Sequence, residues 1–142
     1  MITSAPTKKL MRTMLVLFAL AGATFFTAAC EYSGNYQIER ALLQFHTMPE
    51  NLSLQQVSDN AYKIYIQGCP SDFQIAWRRF CRSIYDLAQL ENKYGSVKNA
   101  PQTELDKYVG EFFTDFLNLL DIADTYGVDT SKYRKEIKNT TK

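Results

Sequence analysis

Apolar side chains recur every three or four residues along most of the chain after residue 35, the spacing that places them on one face of an α-helix. Four such stripes follow one another. They consist of Ile38, Ala41, Leu42 and Phe45; Leu54, Val57, Ala61, Ile64 and Tyr65; Phe73, Ala76, Trp77, Phe80, Ile84, Leu87 and Ala88; and Leu105, Tyr108, Val109, Phe112, Phe116, Leu119, Leu120 and Ala123. The pattern predicts an all-α fold, a small antiparallel bundle of about four helices plus a short C-terminal helix.

The residues between the stripes predict where each helix begins and ends. Ser53 and Ser71 are each followed three residues later by glutamine, which is the form of a capping box. Pro49 should end the first helix, Gly68 and Pro70 the second, and Gly95 the third. The fourth helix should begin near Thr103 and end before Gly127, and a short basic helix should follow Thr130 with Lys132, Arg134, Lys135 and Lys138. The alternation from Tyr62 to Ile66 is the only local pattern that favours a strand.

The first 29 residues are typical of an export signal. Lys8, Lys9 and Arg12 precede an uncharged apolar run over residues 14–26, which is shorter than the ~20 residues needed to cross a bilayer. Small residues and a cysteine follow it, in the order Thr27-Ala28-Ala29-Cys30. This ending resembles the lipobox of bacterial lipoproteins, which implies cleavage before Cys30 and acylation of that cysteine. The alternatives are an uncleaved anchor helix and an ordinary secretory signal.

The resemblance implies an anchor and a location, and together with the helical periodicity it predicts a domain organisation. We expect a signal peptide over residues 1–29, a lipid-anchored tether over 30–35, a helical domain over 36–138 and a frayed tail over 139–142. Glu31 stands where many inner-membrane lipoproteins of enteric bacteria carry Asp. The expected location is therefore the outer membrane, with the periplasmic face of the inner membrane as the alternative.

Charge and composition exclude several classes of function. Three of the 16 Lys and Arg residues precede Cys30 and none of the 15 Asp and Glu residues does, so the remainder carries 13 cations against 15 anions, a formal charge of −2. This balance argues against nucleic-acid binding, which draws on clustered cations. His46 is the only histidine and is expected to be a partly exposed residue at a helix end, without the neighbours of a zinc site or a catalytic triad. We predict no catalytic residues, no metal and no cofactor.

Three arginines on the predicted third helix are the best candidates for a partner-binding surface. Arg78, Arg79 and Arg82 lie near Trp77, and Arg82 can pair with Asp86 four residues later. Arginine and aromatic side chains are over-represented among the residues that dominate protein interfaces. These four residues, Trp77 and the three arginines, are the candidate contacts for an acidic partner. The acids of the fourth helix are expected to form a solvated face. They are Glu104, Glu111, Asp115, Asp121 and Asp124.

Cys69 and Cys81 pose a conflict between chemistry and geometry. In an oxidising compartment two remaining thiols tend to pair, which favours a disulfide. A helix starting at Asp72 would place Cys81 about 14 Å along its axis, whereas a bridge needs Cα atoms within about 7 Å. The bridge is expected from the compartment, and it requires the helix to begin several residues after Ser71.

The resulting hypothesis is a membrane-anchored lipoprotein whose helical domain binds an envelope or invading protein, in immunity, exclusion or envelope assembly. Two alternatives remain open. One is a pilotin-like chaperone of a secretin, and the other is a carrier of lipid or a small ligand, for which the nine Tyr and nine Phe could line a cavity. In a small bundle those rings are more simply explained as core packing.

Overall fold

The computed structural model describes residues 34–140. The expected signal peptide, the lipidation site Cys30 and the end of the tail lie outside these residues. Within them the chain forms five α-helices and one 3₁₀ turn and contains no strand, which confirms the all-α prediction. The elements are α1 (Gly34–His46), α2 (Leu54–Lys63), α3 (Ser71–Tyr94), the 3₁₀ turn (Val97–Asn99), α4 (Gln102–Thr125) and α5 (Ser131–Thr140).

The first capping box forms as predicted, and the second does not. Ser53 Oγ accepts a hydrogen bond from Gln56 N at 3.2 Å, and Gln56 Oε1 accepts one from Ser53 N at 2.9 Å. At α3, Pro70 occupies the N-cap position and makes no side-chain cap hydrogen bond, so Ser71 is the first helical residue. Proline suits this boundary because its fixed φ and missing N–H cost nothing at a helix start.

At the C-terminal ends of the helices, the predicted end of α3 is confirmed and the predicted end of α2 is wrong. Gly95 follows α3 with φ 73°, a left-handed conformation that glycine adopts without steric cost. α2 ends at Lys63, earlier than predicted, because the backbone becomes extended at Ile64. From there Ile64 and Ile66 are half-buried against the core and Tyr65 is exposed, so the local alternation describes an extended loop.

α3 is the central helix of the fold, and α2 and α4 run antiparallel to it. Hydrogen bonds join it to α4 along its whole length, from Lys93–Glu104 (3.5 Å) through Ser83–Asp115 to Tyr126–Asp72 (2.9 Å). On the other side, Gln89 Nε2 donates to Gln55 Oε1 at 3.3 Å, so the start of α2 lies beside the end of α3. These contacts support the predicted antiparallel arrangement for α2, α3 and α4.

The core is dominated by aromatic rings in mutual contact. Phe80 lies between Phe45 of α1 and Phe116 of α4, with centroid distances of 5.0 Å to each. A second, smaller cluster closes the opposite end of α3 with Leu90, Val97 and Leu105. α1 therefore packs over the α3–α4 pair, and burial of these rings supplies the main stabilisation of the fold.

Candidate functional site

The three arginines of α3 lie on the solvent side of the bundle. Arg78, Arg79 and Arg82 are all exposed, and the intervening Phe80 and Cys81 are buried, because a helix turns by about 100° per residue and positions three or four apart share a side. Ile75 precedes them on the same exposed side. This basic surface is the candidate site.

Two tyrosines complete this surface. The guanidinium carbon of Arg82 lies 5.7 Å from the centroid of the Tyr85 ring, within the range of a cation–π contact. Tyr62 of α2 lies close by. Burial raises the pKa of Tyr62; among the nearby charges, Asp86 raises it and Arg82 lowers it. We call the surface formed by Tyr62, Arg78, Arg79, Arg82 and Tyr85 the arginine face.

The arginine face keeps an excess of positive charge. Arg82 Nε pairs with Asp86 Oδ1 at 3.1 Å, as the four-residue spacing predicted. Within residues 34–140, the ion pairs of the structure involve neither Arg78 nor Arg79. Two guanidinium groups therefore remain available to an acidic ligand, each with a planar set of donors that matches a carboxylate.

Trp77 does not belong to this surface. It is 2% exposed, its indole Nε1 donates to the carbonyl oxygen of Ala61 at 3.3 Å, and its ring packs against Phe45, Phe73 and Phe80. The prediction that Trp77 contacts a partner is corrected because one position along a helix separates it from Arg78 by about 100°. Trp77 instead fixes the contact between α2 and α3.

His46 is buried, so the prediction that it is a partly exposed residue at a helix end is wrong. It ends α1 with 1% of its surface exposed, and Tyr133 of α5 packs against its ring at 5.4 Å. Its Nδ1 lies 3.9 Å from Oε2 of Glu136. This environment could not be predicted from the residues around His46, because α5 contacts α1 only in the folded chain.

The structure holds Cys69 and Cys81 as free thiols, so the expected disulfide is absent from it. The helix begins at Ser71, and Cys81 therefore lies about 15 Å along α3 from its start, whereas Cys69 precedes the helix by two residues. Both thiols are buried, and burial raises the pKa of Cys69 to about 11 and that of Cys81 to about 12. High pKa values suppress the thiolate, so neither cysteine has the character of a reactive nucleophile.

Part of the expected acidic face of α4 is engaged in tertiary contacts. Asp115 accepts a hydrogen bond from Ser83 of α3. Arg134 Nη2 donates to Asp121 and Asp124, each at 2.7 Å, and joins α5 to the end of α4. These acids are thus partly structural, and Arg134 is a contact that the sequence pattern did not predict.

In residues 34–140 no three His, Cys, Asp or Glu side chains are grouped as a metal site would require. None of the helices in this range combines the length and apolar composition needed to cross a membrane.

Comparison with protein-family models, with curated proteins and with solved structures finds no match for this chain.

Proposed function

We propose that this chain is a lipid-anchored protein of the bacterial envelope whose helical domain binds an acidic protein through the arginine face. The observation that carries the proposal is the exposed set of Arg78, Arg79 and Arg82 beside Tyr62 and Tyr85. Arginine and tyrosine are enriched among interface residues whose truncation costs most binding energy.

The charge of the arginine face indicates the chemistry of the partner. The domain after Cys30 is slightly acidic as a whole, with a formal charge of −2, yet this surface carries three cations and one paired acid, Asp86. A positively charged surface on a domain of negative net charge orients an acidic partner toward that surface and disfavours its binding to the rest of the domain. An acidic surface with exposed carboxylates is the complementary ligand.

A lipid anchor would favour binding by raising the effective concentration of the domain at the membrane. A domain held a few residues from the bilayer meets other envelope proteins at high effective concentration, so a modest intrinsic affinity suffices for complex formation. Arginine side chains with the flat rings of Tyr62 and Tyr85 can supply such an affinity over a small area.

The test is capture by crosslinking in intact bacteria that express the full chain and receive labelled fatty acid. We expect incorporation of the label, its loss in Cys30→Ser, and capture of one specific envelope or invading protein. Arg78→Glu, Arg79→Glu and Arg82→Glu combined should reduce capture at least tenfold, which corresponds to about 1.4 kcal/mol. The matched control is Lys98→Glu, Lys107→Glu and Lys135→Glu combined, which makes the same change in net charge at exposed positions elsewhere.

The outcomes separate the proposal from its rivals. Equal loss in the two triple variants would show that net charge rather than the arginine face matters, and the proposal would be wrong. Capture of a secretin subunit would select the pilotin-like role. Purification of the chain with a bound lipid or small molecule, and without any captured protein, would select the carrier.

A further inference from the structure

One end of the bundle brings together the beginnings of α1 and α3 and the end of α4. Gln37, in the first turn of α1, lies so close to Gly68 that a Cβ at that glycine would be 3.2 Å from its side chain. Tyr126, just after α4, donates its hydroxyl to Asp72 at the start of α3, at 2.9 Å. We call this the tether end, because it contains the first helical residue, Gly34.

The tether end exposes large aromatic and apolar side chains. Tyr36, Tyr65 and Tyr126 are 57%, 59% and 38% exposed, and Ile75 is 53% exposed. Ile75 lies in the second turn of α3, where side chains lean toward the helix N-terminus and hence toward this end. Tyrosine combines an apolar ring with a polar tip, which is the property enriched where proteins meet the interfacial region of a bilayer.

The opposite end of the bundle has a different surface. There the exposed residues are mainly polar, with Lys98, Asn99 and Gln102 among them, and Tyr94 is half-buried against the second core cluster. Within the described residues, the large exposed hydrophobic side chains lie at the tether end or along the sides of the bundle. The two ends therefore differ in the way expected if only one of them meets an apolar phase.

The length of chain before α1 limits how far the tether end can lie from the anchor. Cys30 precedes Gly34 by four residues, and four residues span at most about 14 Å when fully extended. In a chain acylated at Cys30, the start of α1 is therefore held within that distance of the bilayer surface.

We propose that the tether end rests on the bilayer, with Tyr36, Tyr65 and Tyr126 in the headgroup region. This proposal rests on the lipid anchor of the proposed function. It places α3 with its N-terminus toward the membrane, so that Arg78 and Arg82 lie about 10 and 16 Å along the helix from that end. The arginine face is then presented sideways, just above the membrane surface.

The test is site-specific photocrosslinking in the full, anchored chain. A benzophenone amino acid is introduced as Tyr65→p-benzoylphenylalanine, in cells whose phospholipids carry a radioactive label. The matched control is Tyr85→p-benzoylphenylalanine, an exposed tyrosine about 21 Å along α3 from its start. After illumination, the membrane fraction is analysed for labelled adducts by gel and mass spectrometry, and fatty-acid incorporation is measured in the same cells.

We expect phospholipid adducts at position 65 at least fivefold above those at position 85. Comparable adducts at the two positions, or adducts at 85 alone, would overturn the proposed orientation. A protein adduct at 65 without lipid would overturn it in favour of a protein docked on the tether end. Acylated chain without lipid adducts at 65 would refute this inference alone, whereas a chain that incorporates no fatty acid would refute the anchor and this inference together.

Discussion

His46 of α1 is buried and Glu136 of α5 is half-buried where these two helices meet. Burial, together with the nearby positive charge of Lys132, lowers the pKa of His46 to about 4. Burial raises the pKa of Glu136 to about 7, against the opposing effect of Lys132. Their 3.9 Å separation exceeds hydrogen-bonding distance, so desolvation rather than mutual attraction sets both directions.

These opposite pKa shifts have opposite consequences for stability as the pH changes. Since His46 has a lowered pKa in the folded state, its burial costs nothing above pH 6.5, and stability is lost as the pH falls toward 4. Since Glu136 has a raised pKa, its burial costs nothing below pH 4.5, and stability is lost as the pH rises toward 7. Between pH 4.5 and pH 6.5 the two groups change the free energy of unfolding in opposite directions as the pH rises. Each contribution amounts to about 3 kcal/mol at full extent.

We therefore predict that Glu136→Gln increases the free energy of unfolding at pH 8 relative to pH 5 by up to about 3 kcal/mol compared with the parent chain. Urea unfolding followed by the fluorescence of Trp77, the only tryptophan, measures this difference. Glu39→Gln, which removes an exposed acid from α1, is the control and should leave the profile unchanged. If Glu136→Gln instead destabilises the fold selectively at neutral pH, an ion pair with His46 is the dominant interaction.

At the scale of elements, two capping sequences that look alike behave differently. Ser53 and Gln56 exchange hydrogen bonds at the start of α2, whereas Ser71 already lies inside α3 behind Pro70. The physical reason is that a capping serine must adopt an extended backbone one residue before the helix. At α3 proline already occupies that position with a fixed φ.

This contrast gives a paired prediction. Ser53→Ala should lower the free energy of unfolding by about 1 kcal/mol, because it leaves a helix N–H without its acceptor. Ser71→Ala should change it by no more than a few tenths of a kcal/mol, because alanine is a slightly better residue than serine inside a helix. Equal losses in the two variants, measured by urea unfolding, would mean that Ser71 caps α3 after all.

At the scale of the whole molecule, the packing of α1, α2 and α4 around α3 encloses both cysteines. Cys81 is completely buried in the main core, and Cys69 is buried beside the start of α3. Their protection depends on the complete tertiary structure, because no single helix can bury both of its own sides.

We predict that Cys30→Ser, which leaves Cys69 and Cys81 as the only thiols, is alkylated slowly in its folded state at pH 8. In denaturant and without reductant, the same chain should gain two labels, counted by mass spectrometry. Cys69→Ala in the same background should gain one. A denatured chain that gains no label until it is reduced would demonstrate a disulfide and refute the free thiols.

The sequence by itself determined the helical class, the four apolar stripes and several helix ends. These features could be predicted because they depend on residues close together in the chain. Helical spacing can be read directly from the order of residues, and Ser53 and Gly95 each cap one end of a helix that lies next to them in the sequence. The exposure of Arg78, Arg79 and Arg82 was predicted for the same reason, because exposed positions on α3 follow from the buried stripe beside them, whereas Trp77 was wrongly grouped with them and Tyr62 and Tyr85 were not named. The lipid site at Cys30 remains a prediction from sequence alone.

The tertiary structure decided what distant segments do to each other. Only the packing of α5 across α1 and α4 buries His46 and joins Arg134 to Asp121 and Asp124. Only the packing of α2 on α3 decides that Trp77 belongs to the core while its neighbour Arg78 remains exposed. Periodicity identifies which side of a helix is apolar, but burial and pKa depend on which other helix covers that side, and this is fixed by contacts between residues far apart in the chain.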